Sequence, residues 1–191
     1  MPASHHHRDG EPRPAPAHGT QGGERVMDGD SVAIRPIDFV RDEQPLKAFL
    51  GERDKMRLSH AEAALRDGDC FIFVAAERGV PVGWAIVHLR YREDQDWDPD
   101  ENGRRYQSGD NAYLENIEVT PRLRSRGLGQ QLIRAVEDEA RRRGKRHLWL
   151  HTSENNVKAH QLFERQGWQH ETSMYPSWKP DTRMRIYKKT L

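Results

Sequence analysis

Cysteine is nearly missing from this chain. Its 191 residues hold one, Cys70. A disulfide framework or a cysteine-based metal cluster therefore cannot form within one chain, and the composition fits a reducing compartment, the cytoplasm. Long hydrophobic runs are missing too. No apolar stretch approaches the ~20 residues that a spanning helix needs, and the N-terminus lacks the apolar core of a secretion signal. The expectation is a protein without a membrane partner. An excess of either charge is also absent: 31 Lys and Arg stand against 30 Asp and Glu, a formal net charge of +1. That balance gives no global argument for nucleic acid.

Residues 1–26 are rich in Pro, Gly, His and Ala and carry no hydrophobic period. Such a segment cannot bury enough apolar surface to offset its ordering, so a disordered tail is expected. Residues 27–191 are long enough for one domain with a core of its own. Val32, Ile34 and Ile37 suggest a first strand ending at Pro36. Short helices are expected over 42–50 and 59–66, the second opened by a capping box of Ser59 and Glu62. Residues 71–76 and 82–91 read as a hairpin about the turn 78–81. AYLENIEV (112–119) is a further strand. In the helix that follows, Leu128, Leu132, Ile133, Val136 and Ala140 share one face. HLWLHTS (147–153) is a strand, NNVKAHQLFERQG (155–167) a helix, and residues 168–175 and 183–191 are strands. This alternation implies a mixed α/β (α+β) sheet with helices on its faces.

Two features invite a binding role and fail on spacing. Asp98, Asp100, Asn102 and Gly103 resemble the start of a calcium loop, but the twelfth position, which needs a bidentate Glu, is Gly109. No metal is expected there, and the acidic 94–110 connection reads equally as a solvated loop or as a surface that draws a cationic amine to a cleft mouth. The basic run Arg141 to Arg146 lies at a helix C-terminus, where cations suit the dipole, and lacks interleaved aromatics. No nucleic-acid partner is expected.

The stretch RSRGLG (124–129) places two glycines at the mouth of a good helix, although a helical glycine costs about 1 kcal/mol relative to alanine. Strand, glycine turn, helix is the arrangement of an anion site, because the first N–H groups of a helix lack internal acceptors and the dipole is positive there. The P-loop pattern fails for want of its lysine, and the dinucleotide pattern for want of a third glycine and a downstream acid.

Arg124, Gly127 and Gly129 occupy the fixed places of motif A of the GNAT superfamily of N-acetyltransferases, Arg/Gln-x-x-Gly-x-Gly/Ala, which the stretch resembles. Downstream, Asn156, Ala159, Phe163 and Gly167-Trp168 resemble the family's Asn-x-x-Ala-x-x-x-Tyr-x-x-x-Gly-Phe. The resemblance implies the GNAT fold, a mostly antiparallel sheet splayed between its fourth and fifth strands. It implies acetyl-CoA as acyl donor. Its pyrophosphate would lie on the backbone of Arg124, Ser125, Arg126, Gly127, Leu128, Gly129 and Gln130. Its pantetheine would run beside Ile117, Glu118 and Val119 and meet Asn156, with Ala159 and Phe163 at the thiol end. The acceptor would be a primary amine of a small molecule or peptide. By analogy, a homodimer through the C-terminal strands is open.

Direct transfer also needs a base and an acid. Glu115 is the first candidate base. Glu118 is second, since a β-bulge in this strand would bring it round to the same face. Phe163 stands where the family has a proton-donating tyrosine, which leaves Tyr113 and Tyr175 as candidate acids. Otherwise the thiolate leaves unaided, or the chain is a non-catalytic acyl-CoA sensor of the same fold. His151 and His88 read as paired strand histidines rather than bases.

Overall fold

The computed structural model describes residues 32–90, 109–176 and 179–191. The expectations for the tail 1–26 and for the acidic 98–108 segment lie outside these residues. Strands β1 (Val32–Pro36), β2 (Cys70–Glu77), β3 (Val80–His88), β4 (Asn111–Val119), β5 (His147–Ser153), β6 (Gln169–Met174) and β7 (Met184–Thr190) form one sheet. Their order is β1-β2-β3-β4-β5-β7-β6. Every neighbouring pair is antiparallel except β4 and β5, which run parallel over Asn111–Tyr113 and His147–Trp149 and then part. Helices α1 (Phe39–Phe49) and α2 (Glu52–Arg66) cover one face, and α3 (Leu128–Arg142) and α4 (Val157–Arg165) the other. The expected architecture, its splay and its two-sided cover are all present.

Two cores result from the alternation of the strands. Trp84 and Ile86 of β3 point to α1 and α2, where Leu46, Leu50, Leu58, Ala61 and Ala64 meet them. Ala85 and Val87 point the other way, to α3. The five apolar residues expected on α3 are all buried. Full burial of a Leu, Ile or Val side chain contributes about 1.5–3 kcal/mol. That burial outweighs the cost of Gly129 near the helix start several times over.

The helices over the first core differ from expectation. Ser59 is not an N-cap: α2 starts seven residues earlier, at Glu52, and the Ser59 hydroxyl donates to the Lys55 carbonyl at 3.1 Å. The first two turns of α2, ERDKMR, bury no side chain fully, so they carry no hydrophobic period to read. α1 likewise starts early, at Phe39, with Asp38 as its cap. β3 ends at His88 rather than Tyr91.

Candidate functional site

The parting of β4 and β5 creates the site. Beyond Tyr113 and Trp149 the two parallel strands share no register, and a cavity of about 130 Å³ opens between them. Glu115 and Ile117 of β4, His151 and Thr152 of β5, Asn156 at the cap of α4, and Ala159 and Phe163 within α4 line it. It adjoins a larger groove of about 510 Å³ between β4, the 121–127 loop, and helices α3 and α4. Ile117 and Ala159 line both.

Of the residues expected at the pyrophosphate, Arg124, Ser125, Gly127, Leu128, Gly129 and Gln130 line the larger groove, as does Val119. Arg126 is exposed beside it. After the 3₁₀ turn Pro121–Leu123, Ser125 takes φ 66°, and Gly127 takes φ 79° as the N-cap of α3. A non-glycine residue at positive φ is uncommon and strained, so Ser125 stores strain at this point. Gly127 removes the same penalty one step later and turns the first amides of α3 toward the groove. Gly129 differs. A Cβ there would meet only Leu162 Cδ2, at 3.4 Å, an ordinary contact. The fold itself does not need that glycine.

Arg124 is partly committed already. Its Nε donates to the Val119 carbonyl at 2.9 Å, bracing the loop against the end of β4. Asn156 is committed as well: its Oδ1 accepts from the Ala159 amide at 3.3 Å, capping α4, and its Nδ2 donates to Thr152 Oγ1 at 3.3 Å. Lys158 and Arg165, one face of α4, line the groove opposite the loop. They were not anticipated, because exposed cations on a short helix read as ordinary solvent-facing residues.

A bulge decides which way the β4 carboxyls face. Ile86 pairs with Asn116 and Val87 with Leu114, so Glu115 is the extra residue. Strict alternation would put Glu115, Ile117 and Val119 on one face. Instead Leu114, Ile117 and Val119 pack toward α3, while Glu118, paired with Trp84, joins Glu115 on the face toward α2.

The two carboxyls live in different surroundings. Glu115 Oε1 accepts from Arg57 Nε at 2.9 Å, and Oε2 from His88 Nε2 at 2.6 Å. Burial alone would raise its pKa; the hydrogen bond and charge of His88 and those of Arg57 outweigh that and hold it below the ordinary value. Glu118 has a single cation nearby, Arg124 at 3.8 Å. Burial, helped by the neighbouring Asp54 charge, pushes its pKa up. Asp54 itself accepts from Arg57 at 2.5 Å and from Asn116 at 2.9 Å. Arg57 and Asp54 had no signal in the sequence, because α2 reaches β4 across nearly sixty positions.

Of the candidate acids, Tyr113 is buried with its hydroxyl 2.7 Å from His151 Nδ1. Tyr175 is 63% exposed and lines neither cavity. Phe163 packs its ring on Trp168 and Tyr187, with centroids 5.5 and 6.1 Å away. The basic run at the end of α3 is used locally: Arg141 pairs with Asp138, Arg142 and Arg143 with Glu139, and Lys145 donates to the Leu89 and Gly109 carbonyls. Among the described residues, no cluster of His, Cys, Asp or Glu could hold a metal ion, and no helix is long and apolar enough to cross a membrane.

Comparison with known proteins agrees with this architecture. Residues 37–168 match the family model described as the acetyltransferase (GNAT) family. The streptothricin acetyltransferase of Streptomyces lavendulae is 42% identical over 139 residues, 73% of this chain and 64% of that protein. The chain thus spans under two thirds of that relative's length. An aminoglycoside N(6′)-acetyltransferase type 1 of Salmonella typhimurium is 31% identical over 114 residues, 58% of this chain and 72% of that one. Among solved structures, a Salmonella typhimurium chain with its cofactor acetyl-CoA superposes with a TM-score of 0.59 at 22% identity, covering 84% of this chain and 94% of that one.

Proposed function

Because the chain belongs to the GNAT family of acetyltransferases, we propose that this acyltransferase moves the acetyl group of acetyl-CoA directly onto a primary amine of a small basic molecule. Amine-bearing antibiotics of the streptothricin and aminoglycoside kinds are the first acceptors to consider, given the two named relatives. The unit that does this spans residues 27–191 and works in the cytoplasm, where the buried thiol of Cys70 suits a reducing milieu.

One observation carries the reading: a helix N-terminus with a positive-φ glycine cap opens onto the same groove that leads into the gap between β4 and β5. Acetyl-CoA needs both, an anion seat for its pyrophosphate and a slot for its extended arm. Lys158 and Arg165 add cations across from that seat. The acetyl-CoA-bound neighbour supports the same choice of donor.

The chemistry follows from the two carboxyl environments. An amine in water is mostly ammonium, and the carboxyls of Asp54, Glu115 and Glu118 on one face favour its approach. It must lose a proton to attack the thioester carbon. Glu115 is a weak acceptor, since both oxygens already receive hydrogen bonds and it is held ionised. Glu118, with its raised pKa, suits proton transfer better. Glu118, which lines neither cavity and stands beside Glu115 on the α2-facing side of β4, is the proton acceptor in this reading, and Glu115 fixes Arg57 and His88 around the amine. A backbone amide near Val119, past the last β4–β5 pair, steadies the developing oxyanion.

The test is to incubate the protein with acetyl-CoA and a panel of streptothricin, aminoglycosides, polyamines and lysine peptides, following free thiol. Thiol release with the antibiotic amines is the expected result. Thermal stabilisation by acetyl-CoA without thiol release from any amine would favour a non-catalytic acyl-CoA sensor, the alternative that Phe163 raises. No stabilisation by acetyl-CoA or CoA would end both readings.

A further inference from the structure

Breaking the thioester leaves an electron pair on sulfur. In the cavity between β4 and β5, where Leu114, Ile117, Leu150 and Phe163 give that anion no hydrogen bond and the Glu115 carboxylate is a like charge, it would be poorly stabilised. A proton delivered as the charge forms removes the difficulty. Phe163 has none to give. Glu115 shares the cavity but is held ionised, with both oxygens engaged. The amide of Asn156 and the hydroxyl of Thr152 are far too weakly acidic. Of the side chains lining the cavity, His151 alone is an imidazole, the side-chain type whose free form titrates near neutrality, at about 6.5.

The sheet puts His151 there. Leu148 and Leu150 of β5 pack into the α3 core, so Trp149 and His151 project from the other face. Trp149 forms the last pair with β4, and His151 is the next residue on that face, just past the parting. Tyr113, the β4 partner of Trp149, holds the imidazole through its hydroxyl, 2.7 Å from Nδ1, with ring centroids 5.5 Å apart. On β7, His151 pairs with Ile186, and α4 presents Phe163 and Asn156. Tyr113 touches it, and Glu115 of β4 shares its cavity.

We propose that His151 is the proton donor to the departing CoA thiolate, in place of the hydroxyl that Phe163 lacks, with Tyr113 as the positioning residue that orients it. The assignment rests on the acetyl-transfer reading. The ammonium first gives one proton through Glu118 to solvent; the amine lone pair then forms the C–N bond, and the second proton leaving nitrogen passes to Glu118, ionised again. The C–S bond breaks with its pair on sulfur. The imidazolium proton moves to that sulfur, leaving CoA with a free thiol and a neutral His151. Solvent carries the proton on Glu118 back to His151, so the cycle closes without an outside acid.

Two measurements test it. In turnover assays, His151→Gln should lower kcat by about 10²-fold while KM for acetyl-CoA stays within about twofold. Adding Phe163→Tyr to that variant should restore about tenfold or more, and Tyr113→Phe alone should give a smaller kcat loss. An unchanged kcat, or a loss that Phe163→Tyr does not rescue, overturns the assignment. Independently of any acceptor, CoA bound to the protein can be titrated through the ultraviolet absorbance of its thiolate. A neighbouring imidazolium should lower the thiol's midpoint in the wild type relative to His151→Gln. Coincident midpoints overturn the assignment even where transfer proceeds. Failure of the wild type to bind CoA overturns the acetyl-transfer reading and this assignment with it.

Discussion

Glu115 Oε2 accepts a hydrogen bond from His88 Nε2 at 2.6 Å, while Oε1 of the same carboxylate accepts from Arg57. One β-bulge residue thereby joins β3, β4 and α2. Its charge is structural before it is anything else. Glu115→Gln should cost about 2 kcal/mol of stability, because it leaves a half-buried Arg57 short of a partner. The pH dependence follows from the depressed pKa. Stability from such a group is fully present above the unfolded value of about 4.3 and is lost as pH falls through the lower folded value. Denaturant midpoints of wild type and variant should therefore differ at pH 7, draw together as pH falls from about 4.3, and converge once it is below the lower folded value. Equal midpoints at pH 7 would refute the structural role.

Glu118→Gln should behave differently. It should leave the denaturant midpoint and acetyl-CoA binding nearly unchanged and lower turnover by about 10²-fold. In the wild type, burial and Asp54 raise the Glu118 pKa, so the acid limb of kcat/KM should lie above the ordinary carboxylate value of about 4.3. That limb should be absent from the residual activity of the variant. A profile of the same shape in both would move the proton acceptor elsewhere.

The two glycines of the anion seat should separate under mutation. Gly127→Ala forces a side chain into φ 79° and should lower stability by about 1–2 kcal/mol. Gly129→Ala meets only an ordinary contact with Leu162 and should raise the melting temperature of the unliganded protein, by up to about 1 kcal/mol of stability. The same methyl should weaken acetyl-CoA binding about tenfold or more in calorimetry. A Gly129→Ala protein that is both more stable and equally able to bind CoA would remove the groove from consideration.

Much of this was legible in the sequence, and the limits are instructive. The α3 stripe of Leu128, Leu132, Ile133, Val136 and Ala140 declared itself because a strong 3.6 period coincides with full burial. α2 declared only its second half. Its first turns bury no side chain fully, and Ser59 with Glu62 offered a cap where the helix was already under way. On β4 the period-2 rule held as far as Leu114 and then failed, since a bulge is set by the facing strand and not by the residues that carry it. RSRGLG announced its turn and the start of α3 through local backbone chemistry. Arg57, Asp54 and the Tyr113–His151 contact could not be announced that way, because each joins distant parts of the chain.

Gly83 offers a last test. A Cβ on it would lie 2.9 Å from the Glu118 carbonyl oxygen and 3.2 Å from Val119 Cγ2. Strand β3 approaches β4 too closely there for any side chain, so Gly83→Ala must push the Glu118–Val119 segment aside. The variant should lose about 1–3 kcal/mol of stability and, with Glu118 displaced, a larger share of kcat than of acetyl-CoA affinity. An active variant of full stability would show that the segment tolerates movement.

The short pairing of β4 with β5 has a consequence beyond the site. From Leu114 onward, β4 presents peptide groups toward β5 without a strand to receive them, so the sheet carries a stretch of open edge at its centre rather than at its rim. Open edges recruit other strands, and proteins ordinarily blunt them with charge, proline or a covering element. Here the covering element would be the donor's own amide-bearing arm. On the proposed function, the donor would then act as a missing strand as well as a reactant, and the unliganded molecule would be the form most exposed to self-association. Amide exchange along residues 114–119 should slow when CoA binds, and the protein should keep longer in solution with CoA than without it.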